Sequence, residues 1–283
     1  MAATISIVTP SFNQARFLPR TIESVLAQRD LVHEYFVIDG GSDDGSREII
    51  ERHADQIDYW VSEPDRGQSD AIRRGFQQAT GDVLYWLNSD DVLLPGALQH
   101  VHEALNTRPD LDVVTGHAVM IDSDDRIVDI RRRPHDSPQW MRWGYLRLNQ
   151  PACFFRRSLY ESVGGIDLSL HCVLDTELWY RMAMRSGRWG GVNAYLAACR
   201  LHEQTKGATL HDRYRVERES IKIRYPQFTS NKMRHSVGRL AYYGSQVASG
   251  RLWTSWQDNW KLRGKRLSEA FSDEAPQPVH PQP

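Results

Sequence analysis

The sequence predicts an α/β fold, a Rossmann-like, doubly wound mixed sheet with a C-terminal helical extension. From residue 4 to about 120, short apolar runs alternate with segments whose apolar residues repeat at helical spacing, which is typical of a parallel sheet covered by helices. Two of the apolar runs end in acidic clusters, at residues 39–46 and 88–91. Open α/β sheets bind ligands beyond the carboxyl ends of their strands, so these clusters predict a nucleotide site.

The elements of the first half follow one another in strand and helix order. The predicted strands are 5–9, 35–38, 59–61 and 83–87, and the predicted helices between them are 14–28, 46–53 and 68–78. The run 83–87 is apolar almost throughout, which is typical of a central strand buried on both faces.

The pattern changes after residue 91, and the later strands are predicted to extend the sheet in mixed directions. The predicted elements there are a helix over 96–106, a strand at 113–116, a hairpin over 119–130 that turns at 123–125, a strand at 152–155, and helices over 156–162 and 175–186. We assign residues 1–210 to this domain, 211–267 to a helical extension, and 268–283 to a polar, proline-rich tail that is predicted to be disordered.

Composition places limits on the function. The chain has 283 residues and a formal net charge of -1, so no global field favours a nucleic acid partner. Its three cysteines are widely spaced and form no CxxC pair, which is typical of core thiols in a reducing compartment. We find no apolar run long enough to span a membrane and no signal-peptide pattern before the first strand. These features predict a cytoplasmic protein.

The first acidic cluster places Asp39 directly after the strand 35–38. The Gly40-Gly41 pair lets the backbone turn tightly, so that a ligand can approach the carboxylate closely. A carboxylate at this position can accept a hydrogen bond from a nucleobase or a ribose. One of the polar residues at 42–44 is expected to cap the following helix instead.

The second cluster, Asn88-Ser89-Asp90-Asp91, follows the central strand. Carboxylates are hard oxygen ligands of the kind that Mg²⁺ and Mn²⁺ prefer, and magnesium often combines one or two of them with substrate phosphates. A divalent ion bound to a diphosphate is therefore one interpretation. A turn that caps the helix after Pro95 is the other.

Four segments resemble the successive blocks of glycosyltransferase family 2, a large inverting family with a GT-A fold. They are SIVTPSFNQARFLPRTIESVLAQ, FVIDGGSDDGSREII, GQSDAIRRGFQQATGDVLYWLNSDD and FFRRSLYESVGGIDLSL. Their order and spacing carry the resemblance, which covers about residues 4–206. It implies an enzyme of bacterial cell-surface polysaccharide biosynthesis that uses a nucleoside diphosphate sugar of the UDP or GDP type.

The resemblance implies roles for the residues around the donor. Thr9 and Pro10 would line the nucleotide pocket, and Asp39 would contact the base. Asp70 would lie beside the nucleotide sugar, although an exposed carboxylate in the first turn of a helix is an equal alternative.

The triplet at 88–90 matches the DxD motif of the family, whose last Asp binds the divalent metal, Mn²⁺ or Mg²⁺. Asp90 is thus the implied metal ligand, with Asp91 as support and Ser89 as the middle residue of the nucleotide-binding triplet. Asn88 replaces the usual Asp, whose side chain is expected to contact ribose. An amide can still make that hydrogen bond, but it leaves less charge near the metal.

A later segment, RLHEQTK at 200–206, resembles a further block of the family. His202 would join the metal, the alternative being a surface or packing histidine. Lys206 would neutralise phosphate charge from a flexible loop.

The implied catalytic base lies between these blocks, in the segment VLDTELW at 173–179. It resembles the Glu-Asp block of the family, with Leu174 in place of the usual Glu. Asp175 keeps the key position, and a carboxylate there can take the proton of an acceptor hydroxyl, which is otherwise a poor nucleophile. The alternatives are that Asp175 caps the helix or that Glu177 replaces it as the base.

Together these assignments predict metal-assisted, inverting transfer of a sugar to a hydroxyl of a glycan or of a lipid-linked acceptor. A nucleotidyltransferase and a non-catalytic sugar-nucleotide or glycan-binding module are the alternatives.

Two further segments of the sequence are rich in aromatic and basic residues. Trp140, Trp143, Tyr145 and the arginines around them predict either an acceptor surface or packing under a loop. From residue 232 to 267, eight Lys and Arg residues accompany one fixed negative charge, Asp258. That segment predicts either peripheral association with the inner face of the plasma membrane, where a lipid-linked acceptor is displayed, or a helical pair packed on the catalytic domain.

Overall fold

One mixed sheet forms the centre of the fold. A computed structural model describes residues 3–132, 137–142, 148–203, 205, 210–229, 232–248 and 250–272. The strands over these residues are β1 (Ile5–Ser11), β2 (Glu34–Asp39), β3 (Tyr59–Ser62), β4 (Val83–Trp86), β5 (Val92–Leu93), β6 (Val113–Ile121), β7 (Ile127–Arg131), β8 (Cys153–Arg156) and β9 (Trp189–Arg200). Their order in the sheet is β3-β2-β1-β4-β8-β6-β9-β5, and β7 pairs with β6.

Helices cover the sheet and extend beyond it. Over the described residues they are α1 (Leu18–Leu26), α2 (Ser46–Arg52), α3 (Gln68–Gln78), α4 (Ala97–Thr107), α5 (Ser137–Arg142), α6 (Arg157–Ser162), α7 (Leu174–Arg185), α8 (His211–Arg224), α9 (Pro226–Thr229), α10 (Lys232–Ala248), α11 (Arg251–Leu262) and α12 (Leu267–Ala270). Single 3₁₀ turns lie at Arg29–Leu31, Ala54–Gln56 and Gln150–Ala152.

Strands β1 to β4 form the parallel half of the sheet. Every residue of β1 is buried, because its side chains alternate between two apolar clusters. Ile5 and Ile7 pack with α1 and α2 on one face, whereas Val8 packs with α3 and α7 on the other. The predicted doubly wound sheet is therefore confirmed.

Helix α3 lies very close to β1, which brings its first turn to the end of that strand. A Cβ atom on Gly75 would lie 2.6 Å from a methyl group of Val8, so a glycine is needed at this contact. The other half of the sheet is mixed, as predicted: β8 runs antiparallel to β4 and β6, and β9 runs parallel to β6.

Strands β5 and β9 were not predicted from the sequence. β9 contains Gly190, Gly191 and Asn193, residue types that are depleted in strands and that interrupt the alternation of apolar and polar residues. The predicted helix over 14–28 is shorter than expected, since α1 begins at Leu18 and residues 15–17 form a turn.

The predicted boundary at residue 210 does not separate two cores. Ile221, Tyr225 and Phe228, from α8 and the residues after it, belong to the same apolar cluster as Trp179 of α7. The ring of Phe228 stacks on Tyr180 with 4.6 Å between centroids. The first part of the helical extension is therefore packed into the sheet domain.

Residues 268–270, which were predicted to belong to a disordered tail, are helical instead. Helix α12 continues to Ala270, and Leu267 and Phe271 are buried against strands β5, β6 and β7. Two apolar side chains four positions apart give this short segment a packing face, which the proline-rich composition of the following residues obscured. Residues 273–283 lie outside the described part of the chain.

Trp140 packs inside the fold and does not form an open acceptor surface. Its ring is buried and makes an edge contact with Tyr242 of α10, at 5.4 Å between centroids. Trp143, Tyr145, Arg133 and Arg147 lie outside the described residues. No helix in the described ranges has the length and hydropathy required to span a bilayer.

Candidate active site

A cavity of about 560 Å³ opens where β1 and β4 end. Its described lining includes Pro10, the acidic loop at 88–91, Gln68 at the start of α3, His171, and Arg200 at the end of β9. The volume is within the range of about 300–1,000 Å³ that is common for small-molecule pockets. The position beyond the strand ends is where the sequence predicted a ligand site.

Asn88 is the centre of a cluster of hydrogen-bonded side chains. Its Nδ2 donates to Oδ2 of Asp91 and to Oε1 of Gln150, each at 3.0 Å, and its Oδ1 accepts a bond of 2.6 Å from Gln68. Gln150 in turn donates to the carbonyl oxygen of Trp86 at the end of β4. The amide of Asn88 therefore ties the loop after β4 to α3 and to the turn before β8.

Asp90 and His202 are far apart in the chain but meet beside the cavity. Oδ2 of Asp90 lies 3.1 Å from Nε2 of His202, and the ring of Phe17 packs on the imidazole with 4.7 Å between centroids. A carboxylate oxygen and an imidazole nitrogen are both ligands that Mn²⁺ accepts. The structure brings together two of the three side chains that the sequence assigned to the metal, Asp90 and His202, while Asp91 is considered below.

Asp90 and His202 would supply only part of a coordination shell. Within the part of the chain that is described, no three His, Cys, Asp or Glu side chains are grouped to hold a metal ion. Divalent ions at nucleotide sites take one or two protein ligands and fill the remaining positions with phosphate oxygens and water. The pair therefore fits an ion that arrives with a diphosphate.

Asp91 is almost completely buried, and its carboxylate is engaged in the loop. Oδ1 accepts a bond of 2.9 Å from the backbone N–H of Arg200, and Oδ2 accepts the bond from Asn88. Burial and then the charge of Asp90 raise the pKa of Asp91 to about 8, although its hydrogen bonds favour the ionised form. These contacts suit a residue that supports Asp90 and do not suit a direct metal ligand.

Asp39 is fully buried at the end of β2. Its Oδ2 accepts bonds from the N–H groups of Gly41 and Ser42, at 3.1 and 2.9 Å, and from the Ser62 hydroxyl at 2.7 Å. Its Oδ1 accepts a bond of 2.6 Å from the Ser42 hydroxyl. The carboxylate holds the turn at 40–42, and Gly40 within that turn lines the cavity. The predicted contact with a base stays a prediction.

Asp44 lies just before α2 and accepts a hydrogen bond from its first residue. Its Oδ1 accepts a bond of 3.0 Å from the N–H of Ser46, and its Oδ2 accepts one of 2.8 Å from the N–H of Ala15. Burial alone would raise the pKa of Asp44, but hydrogen bonds from Ser46 and Ala15 lower it. Gly45 is the N-cap residue of α2, and no side-chain hydrogen bond caps this helix, so the expectation that a residue at 42–44 caps it is wrong.

The remaining residues predicted to contact the donor lie in different environments. Pro10 lines the cavity, whereas Thr9 is buried and its hydroxyl lies 3.1 Å from the hydroxyl of Tyr35. Asp70 is buried in the first turn of α3 and pairs with Arg73 at 3.1 Å. Lys206 lies outside the described residues.

The two acidic residues at the start of α7 have different surroundings. Asp175 is partly exposed, and its Oδ1 accepts a bond of 2.6 Å from the N–H of Thr176. Glu177 is 1% exposed and forms an ion pair of 2.6 Å with Arg181 and a hydrogen bond with Tyr225. A carboxylate with such buried partners is structural, so the alternative that Glu177 is the base is not supported.

Two residues that line the cavity, Arg200 and His171, were not assigned a role from the sequence. Arg200 is buried, and its guanidinium donates to the carbonyl oxygen of Asp90, pairs with Asp125 at 2.6 Å, and lies over the ring of Phe17. His171 lies beside Gly67, the residue that immediately precedes α3. The available signal for Arg200 was its place at the start of the segment 200–206, which resembles a block of the family.

The Nδ1 atom of His171 lies 2.6 Å from a guanidinium nitrogen of Arg213. An arginine can only donate, so Nδ1 must accept and the ring proton of the neutral imidazole is on Nε2. The same ring lines the cavity.

The profile of Glycosyl transferase family 2 matches residues 6–164, more than half of the chain. The chain belongs to this family. An uncharacterized glycosyltransferase of Mycobacterium tuberculosis is 35% identical over 188 residues, which cover 65% of this chain and 70% of that relative. A PGL/p-HBAD biosynthesis glycosyltransferase of Mycobacterium bovis is 27% identical over 187 residues, which cover 62% and 67%.

Solved structures identify the fold of this family 2 glycosyltransferase as GT-A. Residues 1–349 of Staphylococcus aureus TarS, in complex with UDP-GlcNAc, superpose with a TM-score of 0.61 at 14% identity and cover 94% of this chain and 78% of TarS 1–349. The mannosyltransferase PcManGT of Pyrobaculum calidifontis, in complex with GDP-Man and Mn²⁺, gives a TM-score of 0.57 at 17% identity, with 92% and 81% covered.

The contacts of Asn88 lead to a prediction for this family 2 glycosyltransferase. In the variant Asn88→Asp, the two donated bonds to Asp91 and Gln150 are lost and two carboxylates face each other. We expect the metal-free variant to be less stable by about 1–3 kcal/mol, and Mn²⁺ with a nucleoside diphosphate to restore part of the loss. Thermal unfolding with and without both ligands measures this.

Asn106→Asp is the matched control, because it adds the same charge at an exposed position of α4. A surface change of this kind is expected to stay within about 0.5 kcal/mol of the wild type. If Asn88→Asp unfolds at the wild-type temperature without ligands, the amide cluster does not stabilise the loop.

Proposed function

We propose that the protein is a metal-assisted, inverting glycosyltransferase that moves a sugar from a nucleoside diphosphate sugar to a hydroxyl of a glycan or a lipid-linked acceptor. The observation that carries the proposal is the meeting of Asp90 and His202 beside a cavity at the ends of β1 and β4. The pair has the chemistry for an ion that carries a diphosphate, and the cavity has the size for its nucleoside.

The donor is bound in this proposal by two loops of the sheet. Pro10 and the turn that Asp39 holds form the wall for the base, with Thr9 buried behind them. Asn88 contacts the ribose in this proposal, and Ser89 and Asp70 lie towards the sugar. TarS and PcManGT are described with UDP-GlcNAc and with GDP-Man, which supports a UDP or GDP sugar as the donor class.

Asp90 and His202 would hold Mn²⁺ or Mg²⁺, with Asp91 in support, as the Mn²⁺ in PcManGT makes plausible. A bound divalent ion supplies charge stabilisation to a leaving diphosphate. Arg200, which lines the cavity, adds positive charge where negative charge grows as the glycosidic bond breaks. Lys206 keeps its proposed role of neutralising phosphate charge.

Asp175 is the proposed general base. It lies in the first turn of α7, where the helix dipole favours the ionised carboxylate that a base must have. His171, four residues before it, lines the cavity, whereas Asp175 is not among the described lining residues; in this proposal the acceptor hydroxyl reaches Asp175 from the α7 side. Attack from the face opposite the diphosphate inverts the anomeric centre.

The acceptor and the location belong to the same proposal. The Mycobacterium bovis relative is named for PGL/p-HBAD biosynthesis, which supports a role in the cell envelope with a glycan or lipid-linked acceptor. The enzyme would then work in the cytoplasm, at the inner face of the plasma membrane. In this organisation residues 1–210 carry the catalytic groups and 211–267 form a helical extension that shares their core.

The test is a screen of sugar nucleotides with Mn²⁺, in which the released products are identified. Release of a nucleoside diphosphate from one or a few UDP or GDP sugars is the expected result. Release of a sugar 1-phosphate, with the nucleoside monophosphate passed to an acceptor or to water, would identify nucleotidyl transfer instead. Binding without release over all donors and acceptors tried would favour a non-catalytic sugar-nucleotide or glycan-binding module.

A further inference from the structure

Helices α10 and α11 present their apolar side chains to solvent. On α11, Trp253, Trp256 and Trp260 are 62%, 59% and 78% exposed, and on α10 Leu240 and Val247 are 73% and 66% exposed. The three tryptophans are spaced by three and four residues, so they share one face of the helix. A helix packed on a globular domain normally buries this kind of face.

Polar contacts fix α11 in this orientation. Asp258, on the side of α11 away from the tryptophans, is buried and accepts a hydrogen bond of 2.6 Å from the hydroxyl of Tyr195. Arg132 donates to the hydroxyl of Thr254 and lies 3.5 Å from Asp258. Turning the tryptophans inward would break these contacts and leave buried charges unpaired, which is costly.

Basic residues predominate around the end of α11. The exposed basic residues of the described segment are Arg239, Lys261, Arg263, Lys265 and Arg266. Arg266 lines a separate recess with Asp124 and Asp125, and Glu269 follows on α12. Over the described residues of α10 and α11 the one acidic residue is Asp258, and it is buried. The surface of these helices therefore combines exposed indole rings with an excess of positive charge.

We infer that this surface, the outward face of α10 and α11 with its basic residues, binds an anionic lipid bilayer. Tryptophan places an apolar ring and a polar N–H at the level of lipid headgroups, and nearby lysines and arginines are attracted to anionic lipids. Neither helix is long and apolar enough to span a bilayer, so the helices lie on the membrane surface.

The charge distribution argues against a second copy of the chain as the occupant. A symmetric dimer through this face would bring the exposed basic residues of one copy close to the exposed basic residues of the second copy. Repulsion between like charges opposes that contact, whereas an anionic membrane neutralises the same charges.

The experiment measures co-sedimentation of the full chain with vesicles of phosphatidylcholine, with and without phosphatidylglycerol. No sugar nucleotide is needed, so failure here and failure of the proposed transfer reaction are distinguishable. We expect binding only to the anionic vesicles, with a blue shift of the tryptophan emission. The triple variant Trp253→Ser, Trp256→Ser, Trp260→Ser is expected to bind roughly 100-fold more weakly.

A second variant separates charge from apolar contact. Lys261→Ser with Lys265→Ser is expected to weaken binding by about 30-fold, since each lysine near an anionic surface contributes about 1 kcal/mol. Ile223→Ser is the control, because Ile223 is 82% exposed on a different helix. The inference is overturned if the wild type does not sediment, if the tryptophan variant sediments like the wild type, or if light scattering shows a dimer that the triple variant loses while vesicles are not bound.

Discussion

Replacing Asp90 by alanine is expected to remove the metal dependence of donor binding and to lower kcat/KM by at least about 100-fold. The physical reason is that Asp90 is the carboxylate that faces His202 across 3.1 Å at the edge of the cavity. Calorimetry with a UDP or GDP sugar, with and without Mn²⁺, measures the first effect. The wild type should bind the donor more tightly with Mn²⁺, and the variant should bind it equally under both conditions.

Two comparisons sharpen this test. Asp110→Ala removes an exposed carboxylate that pairs with Arg108 and is not part of the described cavity lining. Donor binding by this variant should keep its response to Mn²⁺. If Asp90 and His202 hold one ion, the double variant Asp90→Ala, His202→Ala should lose little more than either single variant, because the second loss removes nothing further. Additive effects would show that His202 acts apart from the metal.

Replacing Asp175 by asparagine is expected to leave donor binding unchanged and to slow sugar transfer by about 10²–10⁴-fold, the usual contribution of a general base. Asparagine keeps the Oδ1 acceptor that bonds to the N–H of Thr176, so the helix start should be preserved. Rapid-quench measurement of transfer at saturating donor, alongside calorimetry, separates the chemical step from binding. Turnover close to that of the wild type would remove Asp175 from this role.

Glu177→Gln is the matched control for that experiment, since it neutralises a carboxylate two residues further along the same helix. The expected effect is on the fold, because breaking the buried pair with Arg181 costs about 3 kcal/mol. The denaturation midpoint should therefore fall for Glu177→Gln and remain near the wild-type value for Asp175→Asn. The opposite pattern would exchange the roles of the two residues.

Local sequence patterns predicted the parallel half of the sheet well. Apolar runs such as 83–87 correspond to strands that lie between two layers of helices, where burial on both faces leaves a clear signal. Strand β9 left no such signal, because Gly190 and Gly191 carry no side chain to pack. Its place beside β6 depends on pairing between residues about 75 positions apart, for example His117 with Tyr195.

Sequence reasoning predicted those parts of the site whose chemistry depends on single residues. Asp90 and His202 were assigned through the resemblance to the family, and the structure places them within hydrogen-bond distance. The amide cluster around Asn88 was not predictable, because an amide donates and accepts equally well and its partners, Gln68 and Gln150, are brought together only by the fold.

The Glu217 carboxylate of α8 accepts hydrogen bonds from the backbone N–H groups of residues 171–173, immediately before the helix that carries Asp175. Burial would raise the pKa of Glu217, but these bonds lower it. β2, which carries Asp39, leaves the ribosome long before this carboxylate does. Since chains fold from the N-terminus during synthesis, we expect the turn that Asp39 holds to form before the entry to α7. The entry to α7 reaches its final geometry only after residue 217 has emerged.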